Sequence, residues 1–511
     1  MATVRRVAWP DPATPPTDPI PGTSPDLLWH PRIGPRILLG VAALILFAFP
    51  GSGSLWTHEG RWAEICRDMM RTGDYFHPHL FDEEYFDKPL PTYWIMIASA
   101  RLFGGLNETT LRIPGILAGL LAIFCTWRIG ERRFGPKAGL TAGWLMATCA
   151  CFVYWSRIAS ADIYSLAAVT AGVAWWTERR DRPSFATSAG LFAIMAVGAQ
   201  MKGLIAPVLT GLAILPDLFV DRRWRRHLHP SLALAVIPAM LIYMMPFLLS
   251  SATAGDHHYE SSGLALVFKE NVLRYFKPFD HQAPVYVYVE YLPLYALPWT
   301  FLLPWVIGRA LTRWKQLTPE SRWPLLASLL ILVFLSVGSG RRNYYVLPIL
   351  PFVMLAIADW LHEPDTAGRR RSVAAGLGVF SAAAMLLYFG IAAPLLSNYG
   401  DVRKLGEDVR RAAEAEAPWS EWRVVLYDTK PQMGYYLDPV ERAHRLLTPE
   451  ELDRALREHP RTVVVTYARN CPKIAARMAG SLELIEQSTL PWSLGQPKAT
   501  PEAQVAFIPP R

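Results

Sequence analysis

The sequence predicts a polytopic α-helical membrane protein with a small α/β domain towards its C-terminal end. Three observations carry this: an apolar composition, a series of apolar runs of spanning length, and positive charge confined to alternate connections. Of the 511 residues, 52% are hydrophobic, 12% aromatic and 18% charged, with a mean hydropathy of +0.18. A soluble protein carries charge on about a quarter of its residues. The formal charge of +8 does not imply a nucleic-acid partner, because Lys and Arg fall in short clusters between apolar runs and not on one basic face. Five cysteines (Cys66, Cys125, Cys149, Cys151, Cys471) are too scattered for a disulfide framework or a zinc site. Cys66 and Cys471 alone fall in segments expected outside the membrane, which admits a bridge between them.

Residues 1–33 are rich in Pro, Asp and Thr and lack an apolar core, so a disordered cytoplasmic tail is expected. The first apolar run ends in Pro50-Gly-Ser-Gly53 without a small-x-small site, so no cleavable signal peptide is expected. Spans take roughly 17 to 25 mostly apolar residues. Runs of that kind lie near 34–51, 109–128, 138–154, 160–177, 185–201, 203–219, 231–250, 291–309, 323–338, 344–361 and 372–394. With room for further short helices, these give about 11 to 13 transmembrane helices in a module over 34–394, with large loops at 51–108 and 251–290.

The connections then sort by charge. Clusters such as Arg128/Arg132/Arg133/Lys137, Arg179/Arg180/Arg182 and Arg222/Arg223/Arg225/Arg226 mark one side as cytoplasmic, and so do Arg309/Arg313/Lys315/Arg322 and Arg369/Arg370/Arg371. Both large loops and the C-terminal segment fall on the other side. Chemistry there proceeds without ATP or nucleotide sugars. Residues 395–511 alternate Arg/Glu-rich helical stretches (402–416, 449–458, 472–480) with strand-like Arg423–Tyr427 and Thr462–Tyr467, which reads as a soluble extracytoplasmic α/β domain.

Candidate chemistry gathers on the external side. In the first loop, Glu59, Arg61, Glu64, Arg67, Asp68 and Arg71 recur at helical spacing, with Trp62, Ile65, Met69 and Met70 on another face. The pattern fits an amphipathic helix on the membrane surface, with Asp68 and Arg71 read as a solvated face. Lys88 follows Tyr85-Phe86-Asp87 and is either a snorkelling side chain or a cation for a lipid phosphate. Asp162 and Lys202 interrupt apolar stretches, where ionisable groups are costly and functional by default. The alternatives are a helix N-terminal carboxylate for Asp162 and an interfacial lysine for Lys202. His257, His258 and Glu260 lack common metal-helix spacing and read as polar loop residues.

Taken in order, His58-Glu-Gly-Arg-Trp-Ala-Glu-Ile-Cys-Arg-Asp-Met-Met-Arg-Thr-Gly-Asp-Tyr75, Tyr85-Phe-Asp-Lys-Pro89, Arg157-Ile-Ala-Ser-Ala-Asp162, Lys202-Gly203 and Arg341-Arg-Asn-Tyr-Tyr-Val-Leu-Pro-Ile-Leu-Pro351 resemble the bacterial GT-C glycosyltransferases. Within them the chain is most similar to the lipid A aminoarabinose transferase branch, with protein O-mannosyltransferases as wider relatives. The resemblance implies a transferase of the bacterial inner membrane, working on its periplasmic or external face. It would take a sugar from a polyprenyl-phosphate carrier and pass it to a lipid, glycan or protein acceptor.

The resemblance also distributes roles. The family's acidic pair after the first span falls on His58 and Glu59, its interfacial arginine on Arg61, its carrier-phosphate element on Tyr85, Phe86, Asp87, Lys88 and Pro89, and its second-loop acid on Asp162. The pair usually begins with Asp, so His58 is a departure, and metal dependence stays open between a divalent cation and none. The chemistry itself asks for positive charge where phosphate leaves and a base for a hydroxyl acceptor. Arg61, Lys88, Arg274 and Arg341 or Arg342 are the candidates for the first task, with Tyr85, Lys202 and Tyr345 as further candidates to bind the donor phosphate, and Glu59, Asp162 and His58 are the candidates for the second. A transporter or flippase of lipid-linked sugar is the alternative, but such proteins often show repeated halves, and the sequence shows none.

Overall fold

The computed structural model describes residues 29–55, 57–219, 223–227, 233–253, 283–363, 367–396, 401–429, 431–475, 483–486 and 504–508. Helices overlie each of the apolar runs. Among the described residues, five helices are long and apolar enough to cross a membrane, or up to seven if each of two bent pairs is one span. The central helix is α4 (Glu108–Phe134), which touches α1 (Gly34–Phe47), α3 (Leu90–Leu102), α5 (Pro136–Ala147), α6 (Ala150–Ser156) and α7 (Ala161–Arg179). Its start is set by Asn107, whose side chain accepts from the N–H of Thr110 in a capping box. Its end is set by Gly135, at a φ of 92° that favours glycine.

Two expected spans are broken. Over 138–154, α5 and α6 meet at 66°, because Thr148 and Cys149 leave the helical region. Over 291–309, Val287–Tyr295 and Trp299–Gln316 meet at 108°, next to Pro298, which has no N–H to continue a helix. Two apolar helices are short: α1, with 14 residues, and α9 (Ile205–Phe219), with 15.

Helix polarity makes the two ends of the membrane module distinct. The last turn of α4, Arg180 after α7, the end of α9 and the start of α11 (Pro319–Val337) meet in one ion-pair knot. There Arg133 pairs with Asp217 and, at 2.6 Å, with Glu320; Arg180 reaches Glu320 at 2.6 Å and Asp217 at 3.3 Å. Trp176 Nε1 donates to Asp217 at 2.9 Å, which leaves little of that carboxylate unsatisfied. The opposite ends of these helices meet the first large loop.

Beyond the membrane module, a five-stranded sheet runs in the order β4-β3-β5-β7-β6. Its parallel portion is β3 (Arg423–Tyr427) between β4 (His444–Leu446) and β5 (Thr462–Tyr467), and β7 (Gln504–Ile508) runs antiparallel to β5 and to β6 (Glu483–Glu486). The strands at 423–427 and 462–467 and the helices Val402–Glu416 and Pro449–Glu458 fall on the expected stretches. Most of 472–480 lies outside the described residues.

The amphipathic helix α2 (Thr57–Thr72) corrects one expectation. Its charged face is not a solvated surface but the seat of a short helix, α12 (Gln432–Leu437), and the chain after it. Asp68 accepts from Arg442 at 2.9 and 3.0 Å, Arg67 pairs with Asp438 at 2.8 Å, and Arg71 donates to the carbonyls of Pro439 and Val440 at 3.1 and 2.9 Å. Trp62, Ile65 and Met69 are buried in the main core instead of facing lipid. Burial lifts the Glu64 carboxyl above the usual carboxylate range even though Arg67 donates to it at 2.7 Å. The five cysteines are free, Cys66 and Cys471 among them.

Candidate active site

A cavity of about 540 Å³ opens where the ends of these helices away from the ion-pair knot meet the first loop. Its lining includes the polar and charged side chains of His58, Arg61, Asp87, Lys88, Asp162, Lys202 and Arg342. It also includes apolar ones: Leu204, Ile205, Val208 and Leu209 from α9 and its approach, Phe247 from α10 (Val236–Thr253), and Phe334 and Leu335 from α11. Trp155, Tyr344 and Tyr345 join them, with Trp155 and Tyr344 rings 4.9 Å apart and Tyr344 and Tyr345 rings 5.2 Å apart.

Local structure fixes each polar group. Ser160 caps α7; its hydroxyl donates to Asp162 Oδ2 at 2.7 Å and accepts from the Asp162 N–H at 3.3 Å. The other oxygen, Oδ1, accepts from Lys202 Nζ. Lys202 is the last residue of its helix, α8 (Phe185–Lys202), which closes on Gly203 at a φ of 91°. The ammonium also lies 4.4 Å from the centre of the Tyr345 ring and 5.8 Å from that of Tyr344. Arg342 donates to the Tyr344 hydroxyl at 2.6 Å. The Arg61 guanidinium sits over the Tyr85 ring at 5.3 Å, and Lys88 donates to the Asp87 carbonyl at 3.1 Å.

Not every predicted residue meets the cavity. Glu59 is 1% exposed and points into the protein. Its two oxygens each accept from Arg112 at 2.8 Å, and Oε1 also accepts from the N–H of Ala159 at 2.9 Å. Arg112 in turn donates to the carbonyls of Pro50 and Ser52 at 2.8 and 3.0 Å. Glu59 therefore ties α2 to α4 and to the turn three residues before Asp162. Arg341 turns away too, donating to the carbonyls of Ser336 and Ala283 at 3.0 and 2.7 Å. Tyr85 backs Arg61 from outside the lining, whereas Tyr345 lines the cavity. Arg274, His257, His258 and Glu260 lie outside the described residues.

Two buried arginines that the sequence reading did not single out hold this end together. Arg112 is the first, and Arg157 is the second: it donates to the carbonyls of Ile45, Leu46 and Ala48 at 3.1, 2.6 and 2.5 Å and so satisfies the C-terminal end of α1. The available signal was a cation at the edge of an apolar run. Among the described residues, no three His, Cys, Asp or Glu side chains gather where a metal ion could sit. Both oxygens of Asp162 are occupied by Lys202 and Ser160, so the donor set present does not fit a divalent cation.

Comparison with known proteins follows this geometry. Residues 87–249 match the family model described as dolichyl-phosphate-mannose-protein mannosyltransferase. The undecaprenyl phosphate-alpha-4-amino-4-deoxy-L-arabinose arabinosyl transferase of Enterobacter sp. is 26% identical over 409 residues, which are 77% of this chain and 71% of that one. Its counterpart from Pseudomonas paraeruginosa is 30% identical over 374 residues, 70% of this chain and 66% of that one. Among solved structures, ArnT from Cupriavidus metallidurans bound to undecaprenyl phosphate aligns with a TM-score of 0.68 at 17% identity, covering 93% of this chain and 98% of that one. The fold, the order of the motifs and the relatives agree: this membrane protein belongs to the GT-C glycosyltransferases, on the aminoarabinose transferase branch.

Proposed function

We propose that the protein transfers a sugar from a polyprenyl-phosphate carrier to a lipid, glycan or protein acceptor, on the external face of the bacterial inner membrane. The observation that carries this is the presence of four cations and a set of apolar side chains in the lining of one cavity. A lipid-linked sugar phosphate has that same division, with an anionic phosphodiester head and a hydrocarbon tail. The donor class follows the relatives named above, which are transferases acting from undecaprenyl phosphate carriers; no observation favours the flippase alternative. The C-terminal α/β unit, residues 395–511, lies on the same external side in this reading.

Transfer breaks the bond between the anomeric carbon and the carrier phosphate oxygen, which keeps the electron pair, and forms a bond from that carbon to an acceptor oxygen. Lys88, Arg61, Lys202 and Arg342 supply positive charge where the phosphate charge grows, and fixed cations in a water-poor site stabilise that charge more strongly than water does. Lys202 has three N–H donors, so it can hold Asp162 and still offer a donor to phosphate. Asp162, oriented by Ser160 and Lys202, is the group placed to take the proton of a hydroxyl acceptor. His58 lines the same cavity and stands as the second candidate.

The test is a transfer assay with purified protein and a purified polyprenyl-phosphate sugar, read alongside Lys88→Ala. Wild type should transfer, and the variant should raise the donor KM by about tenfold or more through loss of a charge-assisted contact. Absence of transfer by wild type across lipid, glycan and protein acceptors, with no polyprenyl phosphate bound, would overturn the reading.

A further inference from the structure

We infer that Tyr436 and Arg442, in the C-terminal unit, are positioning residues for the donor cavity: they set where α2 holds His58 and Arg61. The inference rests on the donor reading of that cavity. Helix α2 has one face in the cavity, through His58, Arg61 and Trp62, and another under the C-terminal unit. Contact on the second face is close. A Cβ added at Gly60 would come 2.5 Å from the Gln432 Cβ and 2.6 Å from its Cα, so the backbone of α12 lies directly on the residue between Glu59 and Arg61.

The attachment has two ends. At the start of α2, the Tyr436 hydroxyl accepts from the N–H of Leu55 at 2.6 Å and donates to Glu108 Oε1 at 2.9 Å, which joins the C-terminal unit to the chain entering α2 and to the first turn of α4. Burial pushes the Tyr436 phenol well above its ordinary range, so it stays protonated and keeps donating at any physiological pH. Further along α2, the Arg442 fork grips both oxygens of Asp68, a carboxylate 3% exposed. Neither Tyr436 nor Arg442 lines the cavity. Both act through the helix that does, and a helix fixed at its entrance and near its end resists the slide or tilt that would move Arg61.

The experiment compares Tyr436→Phe, Arg442→Gln, Arg442→Lys and the charge exchange Asp68→Arg with Arg442→Asp, each as full-length protein in detergent. Binding of undecaprenyl phosphate is measured alongside donor KM, kcat and thermal melting. Misplacement of a phosphate-binding group by a fraction of a residue costs on the order of tenfold or more. Tyr436→Phe and Arg442→Gln should therefore raise donor KM and weaken undecaprenyl phosphate binding by about that factor, with acceptor KM within about twofold of wild type. Arg442→Lys should recover some of the donor affinity, and the charge exchange less, because Arg71, which pairs with Asp68 at 3.0 Å, would then face a like charge. Unchanged donor KM in both single variants overturns the positioning role, and so does a loss of activity that follows the melting temperature and falls equally on donor and acceptor. If wild type itself binds no undecaprenyl phosphate, the donor reading fails and this inference falls with it; wild-type binding with unaltered variants removes the positioning role alone.

Discussion

Asp162 and Glu59 face different company, and their substitutions separate accordingly. Asp162 touches the cavity through a carboxylate that can exchange partners, whereas Glu59 is enclosed by Arg112 and the Ala159 N–H. Asp162→Asn should lower kcat by about 10²-fold through loss of the proton acceptor, a loss larger than the melting shift from leaving Lys202 without its counter-ion would explain. Glu59→Gln leaves the Arg112 charge buried without its counter-ion, and unfolding should become easier by about 3 kcal/mol. His58→Asn should cost less kcat than Asp162→Asn. Transfer kinetics beside melting curves check all three, and full activity of Asp162→Asn would remove the carboxylate base. Much of this lining was legible beforehand: Asp162 and Lys202 stood out where apolar stretches break, Arg61 and Lys88 in the first-loop motifs and Arg342 as a candidate cation, and all five line one cavity. Glu59 was misjudged because identity and neighbourhood do not give direction. On a helix, 58, 61 and 62 share a face by their i, i+3, i+4 spacing, and 59 is turned away from it. Arg341 and Arg342 sit side by side in chain, and Arg342 has extended backbone, where successive side chains point to opposite sides. The sequence shows the pair without showing which member enters.

At the scale of elements, Gly203 decides where Lys202 ends up. Its φ of 91° lies in a region that residues with a Cβ rarely adopt, and it closes α8 one residue after the lysine. Gly203→Ala should cost about 1 kcal/mol of stability from backbone strain. Because the strain falls beside the Lys202 and Asp162 pair, transfer should suffer more than melting does; equal activity with an unshifted melting curve would count against the cap. Helices and strands of the C-terminal unit were visible in sequence wherever a local period was strong, as in Val402–Glu416 and Thr462–Tyr467. Helix α12 was not. Six residues, three of them Met or Tyr, carry no readable amphipathic period. Its importance comes from the distant partners Leu55, Gly60 and Glu108, which no local pattern encodes. The seat of α2 was lost for the same reason, since a charged helical face looks alike whether water or another unit covers it.

Across the whole molecule, the ends of the helices divide the labour. The knot of Arg133, Asp217, Arg180 and Glu320 closes one end, and the cavity occupies the other. The basic clusters predict that the cavity end, the 251–290 loop and residues 395–511 face outward. Single cysteines placed in that loop and on Val402–Glu416 should react with an impermeant maleimide in intact cells; protection of both would reverse the orientation. The breaks at 66° and 108° were not readable in the sequence, because an apolar run has the same composition whether straight or folded back. Two short helices stand at this face: α1 supports the Arg157 turn, and α9 lines the cavity. At 1.5 Å per residue their 14 and 15 residues reach only ~21 and ~22 Å, against a hydrocarbon core of about 30 Å. Hydrophobic mismatch of that size is relieved by local thinning of the lipid around the short segments. The bilayer should then be pinched next to the cavity, so that a headgroup sinks towards Lys88 and Arg61 without leaving its monolayer. Acyl-chain length becomes a control on turnover: reconstituted into bilayers of short-chain phosphatidylcholine, the protein should turn over faster than in long-chain ones, and a rate indifferent to thickness would mean that the lipid stays flat there.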